Sequence, residues 1–144
     1  MDLHECVKFA SDHPVCYIAT TDGDQPRVRA VLMWYADETG FYFETLSPKD
    51  MSKQLHGNSK VEVCFYNNPE ALEHARSMRL TGEIEFMTDP ALLDKAYEAR
   101  KFLEDIVGEP IKPYMEVFRI SSGDLHFWTM ADVLKEKTLE HLKF

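Results

Sequence analysis

The chain is poor in positive charge and cysteine, and it has no long apolar run. Sixteen Lys and Arg against 25 Asp and Glu leave a formal net charge of -9. A field of that sign repels nucleic acid and anionic lipid, so neither is an expected partner. The three cysteines, Cys6, Cys16 and Cys64, are odd in number and share no short paired spacing, which excludes a disulfide framework and a zinc knuckle. They are expected to be buried, reduced thiols. The opening residues Met1 to Phe9 are mixed and amphipathic, unlike a signal peptide or a membrane span, and the expectation is a cytoplasmic protein. No Walker-type loop, dinucleotide glycine fingerprint or Ser-His-Asp pattern occurs, so NTPase and hydrolase readings have little support. The six histidines, His4, His13, His56, His74, His126 and His141, are scattered, without helical ligand spacing or a cysteine cluster, and no metal site is expected.

What the chain does have is material for a core. At 144 residues, 44% hydrophobic and 12% aromatic, it is long enough for one domain over residues 1–144 and too short for two. Leu3, Cys6, Val7 and Ala10 fall at helical spacing, and the Asp12-His13-Pro14 stretch ends that helix, because the residue before proline avoids the helical region. Val15 to Thr20 reads as a strand, Asp22-Gly23-Asp24 as a turn, residues 27 to 35 as a second strand starting near Gln25, and Phe41 to Thr45 as a third. A short helix over 49 to 56 follows Ser47-Pro48.

Further strands are expected at 60 to 66, 78 to 87, 114 to 121 and 124 to 129. Between them lie a short segment over Glu70 to Arg76 that can form a helical turn and a long helix from Thr88-Asp89-Pro90 to about Asp105. The tail from Ala131 to Phe144 is expected to be helical. Seven strands joined mostly by short turns, with no repeating strand-helix-strand unit, predict a mainly β protein with flanking helices: an antiparallel barrel, closed or nearly so.

Within this acidic chain, Arg27, Arg29, Lys49, Lys53 and Lys60 form a local cationic cluster. Alternation on a strand puts Arg27 and Arg29 on one face, where like charges repel unless an anion lies between them. Lys49 and Lys53 are one helical turn apart on a common face. Arg offers a forked set of donors, Lys a point charge, Thr45 and Ser47 hydroxyls, and the free N–H groups opening the helix near Lys49 a partial positive charge. Together they suit one doubly negative phosphate. Solvated surface charge is the alternative for each residue taken singly.

Three segments in order resemble the pyridoxamine 5'-phosphate oxidase-like FMN-binding split barrels. They are Asp22-Gly23-Asp24-Gln25-Pro26-Arg27-Val28-Arg29; Phe41-Tyr42-Phe43-Glu44-Thr45 with Ser47, Lys49 and Lys53-Gln54-Leu55; and Asn58 to Phe65. The resemblance implies an FMN-type split barrel and a homodimer with FMN in a groove at its interface. Arg27 or Arg29, Thr45, Ser47, Lys49 and Lys53 would hold the phosphate and ribityl chain. The backbone of Val28, Arg29, Ala30 and Val31 would line the flavin, Gln54 would reach the ribityl hydroxyls, and Trp128 would approach the flavin from the partner subunit or serve as a core residue. Asp124-Leu125-His126-Phe127-Trp128 keeps only a faint echo of the substrate motif of the true oxidases, and no second phosphate set for a pyridoxal-type substrate is evident. The implied activity is an FMN-dependent oxidoreductase acting on a small molecule, with no side chain marked as its acid or base. The alternative is a non-catalytic flavin-binding or ligand-sensing module, including one for deazaflavin or for haem held by His126 or His56.

Overall fold

The computed structural model describes residues 1–144. Helix α1 (Leu3–Asp12) starts at Asp2, whose carboxylate accepts a hydrogen bond from the Glu5 amide and so satisfies one of the donors a helix start leaves free. It lays Cys6, Phe9 and Ala10 against the sheets. Strands β1 (Val15–Asp22) and β2 (Gln25–Leu32) form a hairpin around Gly23, which takes the positive φ of +61° that the tight turn requires. Strand β3 (Tyr35–Asp37) pairs with β4 (Gly40–Leu46), helix α2 (Asp50–Gly57) follows, and β5 (Lys60–Tyr66) returns to lie beside β1. Then come β6 (Arg76–Glu83), β7 (Glu85–Met87), helices α3 (Pro90–Arg100) and α4 (Leu103–Val107), β8 (Met115–Ile120), β9 (Gly123–Thr129) and β10 (Leu142–Lys143).

All strand pairings are antiparallel. One sheet has the order β10-β9-β6-β5-β1-β2 and the other β3-β4-β8-β7. The inward faces share one core of 19 buried residues, to which α1 adds Phe9, α2 adds Met51 and Leu55, the large sheet adds Ile18, Val63 and Leu80, and the small sheet adds Phe41, Phe43 and Phe118. The stacked rings of Phe43 and Phe118, 5.2 Å apart, lie at its centre. Helix α3 covers the other face of the small sheet, with Ala96 against Tyr42 and Val117.

The chain passes between sheets at four points, and two of these, β2 to β3 and β6 to β7, correct the expected elements. The strand expected over 27 to 35 divides at Met33-Trp34: the Met33 amide donates to Pro14 and the Trp34 amide to Tyr42 of the small sheet. The strand expected over 78 to 87 divides at Ile84, whose amide donates to Ser59. These divisions and a strand in the tail turn the seven expected strands into ten. The expected long helix also breaks, at Lys101-Phe102, into α3 and α4.

The tail is not a helix. Thr129 and Asp132 close a reciprocal capping box around one 3-10 turn, a second turn covers Glu136–Thr138, and the chain then extends. Leu142 pairs with Leu125, and the Phe144 ring meets Phe41 edge-on with centroids 5.7 Å apart. Its apolar residues reach the core from an extended strand, so the sheet edge outcompetes helical propensity here.

Candidate functional site

The β1–β2 hairpin and α2 enclose a groove of about 890 Å³, within the range of small-molecule sites. Arg27, Val28, Arg29, Lys49, Lys53 and Gln54, all expected site residues, line it. Local sequence explains the convergence. In the hairpin register Ile18 lies opposite Arg29 and Thr20 opposite Arg27, so both arginines share the face that carries the buried Ile18 and Thr20. Met51 and Leu55 anchor α2 in the core, which turns Lys49, Lys53 and Gln54 toward the hairpin.

Arg29 is fixed in place. Its Nη2 donates to Gln54 Oε1 at 2.6 Å and its Nη1 to Thr20 Oγ1 at 2.7 Å, while the Thr20 hydroxyl donates to the same Gln54 oxygen at 2.6 Å. Burial lowers the Arg29 pKa from its ordinary value, the neighbouring Arg27 lowers it further, and Asp50 opposes both. Arg27 pairs at the groove rim with Asp22 at 3.2 Å. Lys49 and Lys53 have no carboxylate partner within 4.0 Å. Lys49 also opens α2 without any side-chain cap, so the first helical amides are not satisfied by a side chain. Four cations face two carboxylates, Asp22 and Asp50, in the groove, so its local charge is opposite to that of the whole chain.

Other expected residues lie outside the groove lining. Ala30 and Val31 continue β2 beyond it. Thr45 is buried in β4 with its hydroxyl unpartnered, and Ser47 is exposed in the loop before α2, its amide donating to Tyr114 at 2.9 Å. Trp128 stands opposite Ser77 on β9 with its indole N–H buried and unpartnered. Lys60, part of the cluster in sequence, is drawn away into β5 opposite Glu83. The sequence reading missed Thr20, Asp22 and Asp50. The hairpin turn Asp22-Gly23-Asp24 carried the signal for the first two, because it fixes Thr20 across from Arg27. Asp50 was readable as an acidic residue in a helix's first turn.

The cysteines match the expectation of inert thiols. Burial pushes the Cys6 pKa up to about 11 and Cys16 up to about 12, and it raises Cys64 as well. The reading of the histidines as scattered needs correction. Because β10 pairs with β9, His141 comes against His126, with ring centroids 4.5 Å apart.

The family model described as pyridoxamine 5'-phosphate oxidase matches residues 3–129. The chain belongs to this family. A pyridoxine/pyridoxamine 5'-phosphate oxidase of Rhizobium leguminosarum bv. trifolii is 34% identical over 73 residues, which is 50% of this chain and 34% of that protein. The chain thus matches only about a third of that relative's length. Among solved structures, a NimC/NimA family protein of Clostridium acetobutylicum superposes with a TM-score of 0.75 at 24% identity, covering 99% of this chain and 93% of its own. A FAD-binding protein of Mesorhizobium loti gives 0.70 at 19%, over 88% and 94%. A pyridoxamine 5'-phosphate oxidase-related, FMN-binding protein of Nostoc punctiforme gives 0.64 at 9%, over 99% and 95%. At these identities the structural likenesses establish the fold, a split barrel whose relatives include binders of FMN and of FAD. No helix of this family member is long and apolar enough to cross a membrane.

Proposed function

We propose that this protein is an FMN-binding oxidoreductase acting on a small molecule, and that the hairpin–α2 groove holds the phosphate end of the flavin. The observation that carries the reading is the convergence of Arg27, Arg29, Lys49 and Lys53 on one cavity in a chain of net charge -9. The donor set fits a dianion: two lysines without carboxylate partners, a guanidinium held by Thr20 and Gln54, and an uncapped helix start. Gln54 engages Arg29 and Thr20 through its oxygen only, so its amide NH2 is available to a ribityl hydroxyl. Bound FMN would supply two-electron redox chemistry. The chain's own part is to bind the phosphate, orient the ring along β2 and exclude water.

In one subunit Val28 and Met51 are the only apolar residues lining the groove, too little wall for a flavin ring. Beside it, the outer face of the β1–β2 hairpin exposes Val15, Tyr17, Val28 and Leu32, with Val28 71% exposed. A second copy of the chain seated on this face would supply the missing wall, with Trp128 or another β9 residue as its contribution. A homodimer with flavin at the interface therefore belongs to the same reading.

The test is direct. Purified protein should be yellow, with flavin absorbance that NADH, NADPH or another small donor bleaches. Bound flavin that no donor reduces would favour a non-catalytic flavin module. Colourless protein that refuses added FMN would remove both readings.

A further inference from the structure

The outer face of the large sheet carries a second cluster, at the edge opposite the flavin groove. On β9, Asp124 and His126 alternate with the buried Leu125 and so point to the same side. The pairing of Lys143 with Asp124 brings the residues of β10 alongside, and His141 closes on them. One ligand atom from each of Asp124, His126 and His141 lies within 4.8 Å of the others. Asp124 Oδ1 is 2.6 Å from His141 Nδ1 and 3.8 Å from His126 Nδ1.

We propose that Asp124, His126 and His141 form a binding site for one divalent first-row transition metal, with zinc as the probe. Two imidazoles and one carboxylate are a ligand set suited to such ions. Metal bonds of about 2.0–2.2 Å separate neighbouring ligand atoms by roughly 3–3.5 Å, and the observed distances bracket that value, so small side-chain rotations complete the set.

An independent observation points to a ligand here. His126 is only 8% exposed, and its Nδ1, turned toward Asp124, is buried with no hydrogen-bond partner. A buried imidazole nitrogen without a partner costs free energy, and a metal ion is a partner that the geometry admits. Lys143 Nζ takes the other carboxylate oxygen, Oδ2, at 2.9 Å, which leaves Oδ1 for the ion and orients the carboxylate from outside. Arg79, across from His126 on β6, is 3.8 Å from Glu62. The cationic neighbours Lys143 and Arg79 are thus matched by Asp124 and Glu62 rather than leaving the cluster positively charged. His141 is half exposed and gives the ion access from solvent.

Two ligands belong to β9 and the third lies beside β10, a two-residue strand followed by one further backbone exchange, between Phe144 and Gly123. The ion would staple the C-terminal strand to the sheet, and that is its role. Within one subunit the site lies apart from the groove, since β6, β5 and β1 separate β9 from β2. The test uses untagged full-length protein stripped with a chelator and dialysed, then titrated with Zn²⁺ by calorimetry. The expected result is one ion per chain, a higher unfolding temperature with zinc, and at least tenfold weaker binding in both His126→Gln and His141→Gln. His56→Gln, on α2, should bind as the parent does. His141→Gln alters an exposed side chain and keeps the test valid if His126→Gln fails to fold. No zinc uptake at 100 micromolar, or uptake that His141→Gln leaves unchanged, would overturn the proposal.

Discussion

Glu44 sits on β4 with 5% of its side chain exposed, 2.7 Å from the Arg100 guanidinium, and neither of its oxygens makes an aligned hydrogen bond. Burial pushes its pKa up from 4.5 to about 7, with Arg100 opposing the rise. The folded state therefore holds the proton more tightly than the unfolded chain does. This contribution is fully present below the unfolded value of 4.5 and is lost as pH rises through about 7. The melting temperature should fall between pH 5 and pH 8, a loss of roughly 2–4 kcal/mol at most. Thermal melts of Glu44→Gln should lack that slope, and an equal slope in the variant would reassign the titration elsewhere. At this scale the sequence told much about the groove and little about its support. Strand alternation revealed the shared face of Arg27 and Arg29, and helical spacing revealed that of Lys49 and Lys53. The hold of Thr20 and Gln54 on Arg29 joins residues 34 and 25 positions apart, and only the packed fold brings them together.

The elements were legible where one periodicity ran uninterrupted, as in α1, β1, β4 and β5. They were not legible where a strand left one sheet for the other, because the apolar alternation of Met78, Leu80, Ile84 and Phe86 runs straight through the bend at Ile84. Glycines mark the tight places. A Cβ on Gly123 would meet the Thr81 carbonyl oxygen at 2.1 Å, where β6 and β9 pair, and only backbone movement relieves that contact. Gly123→Ala should destabilise the protein by about 2 kcal/mol or more in urea unfolding. Gly57, at the end of α2, has open space around its missing Cβ, and Gly57→Ala should be neutral or stabilising by about 0.5 kcal/mol. Equal effects of the two substitutions would mean that the β6–β9 approach is looser than described. The tail misled for a related reason: its leucines allow a helix, but Leu142 and Phe144 gain more by completing the sheet edge and the core.

For the whole molecule, the proposed function rests on two contrasts: one cationic groove in a chain of net charge -9, which would select the ligand, and the exposed apolar hairpin face, which would seat a second copy. Val28 belongs to both. Placing a carboxylate there by Val28→Asp should convert a dimer to a monomer in sedimentation and weaken flavin binding at the same time. A dimer that survives the substitution would put the interface on another face. The central claim is narrower than either, namely that the groove recognises a phosphate. The measurement that tests it most directly compares FMN with riboflavin on the parent protein and on Lys49→Ala, a change at an exposed residue with no carboxylate partner to strand. FMN affinity should fall by about 1–3 kcal/mol while riboflavin affinity stays as it was. Equal loss for both ligands, or no loss for either, would contradict the account.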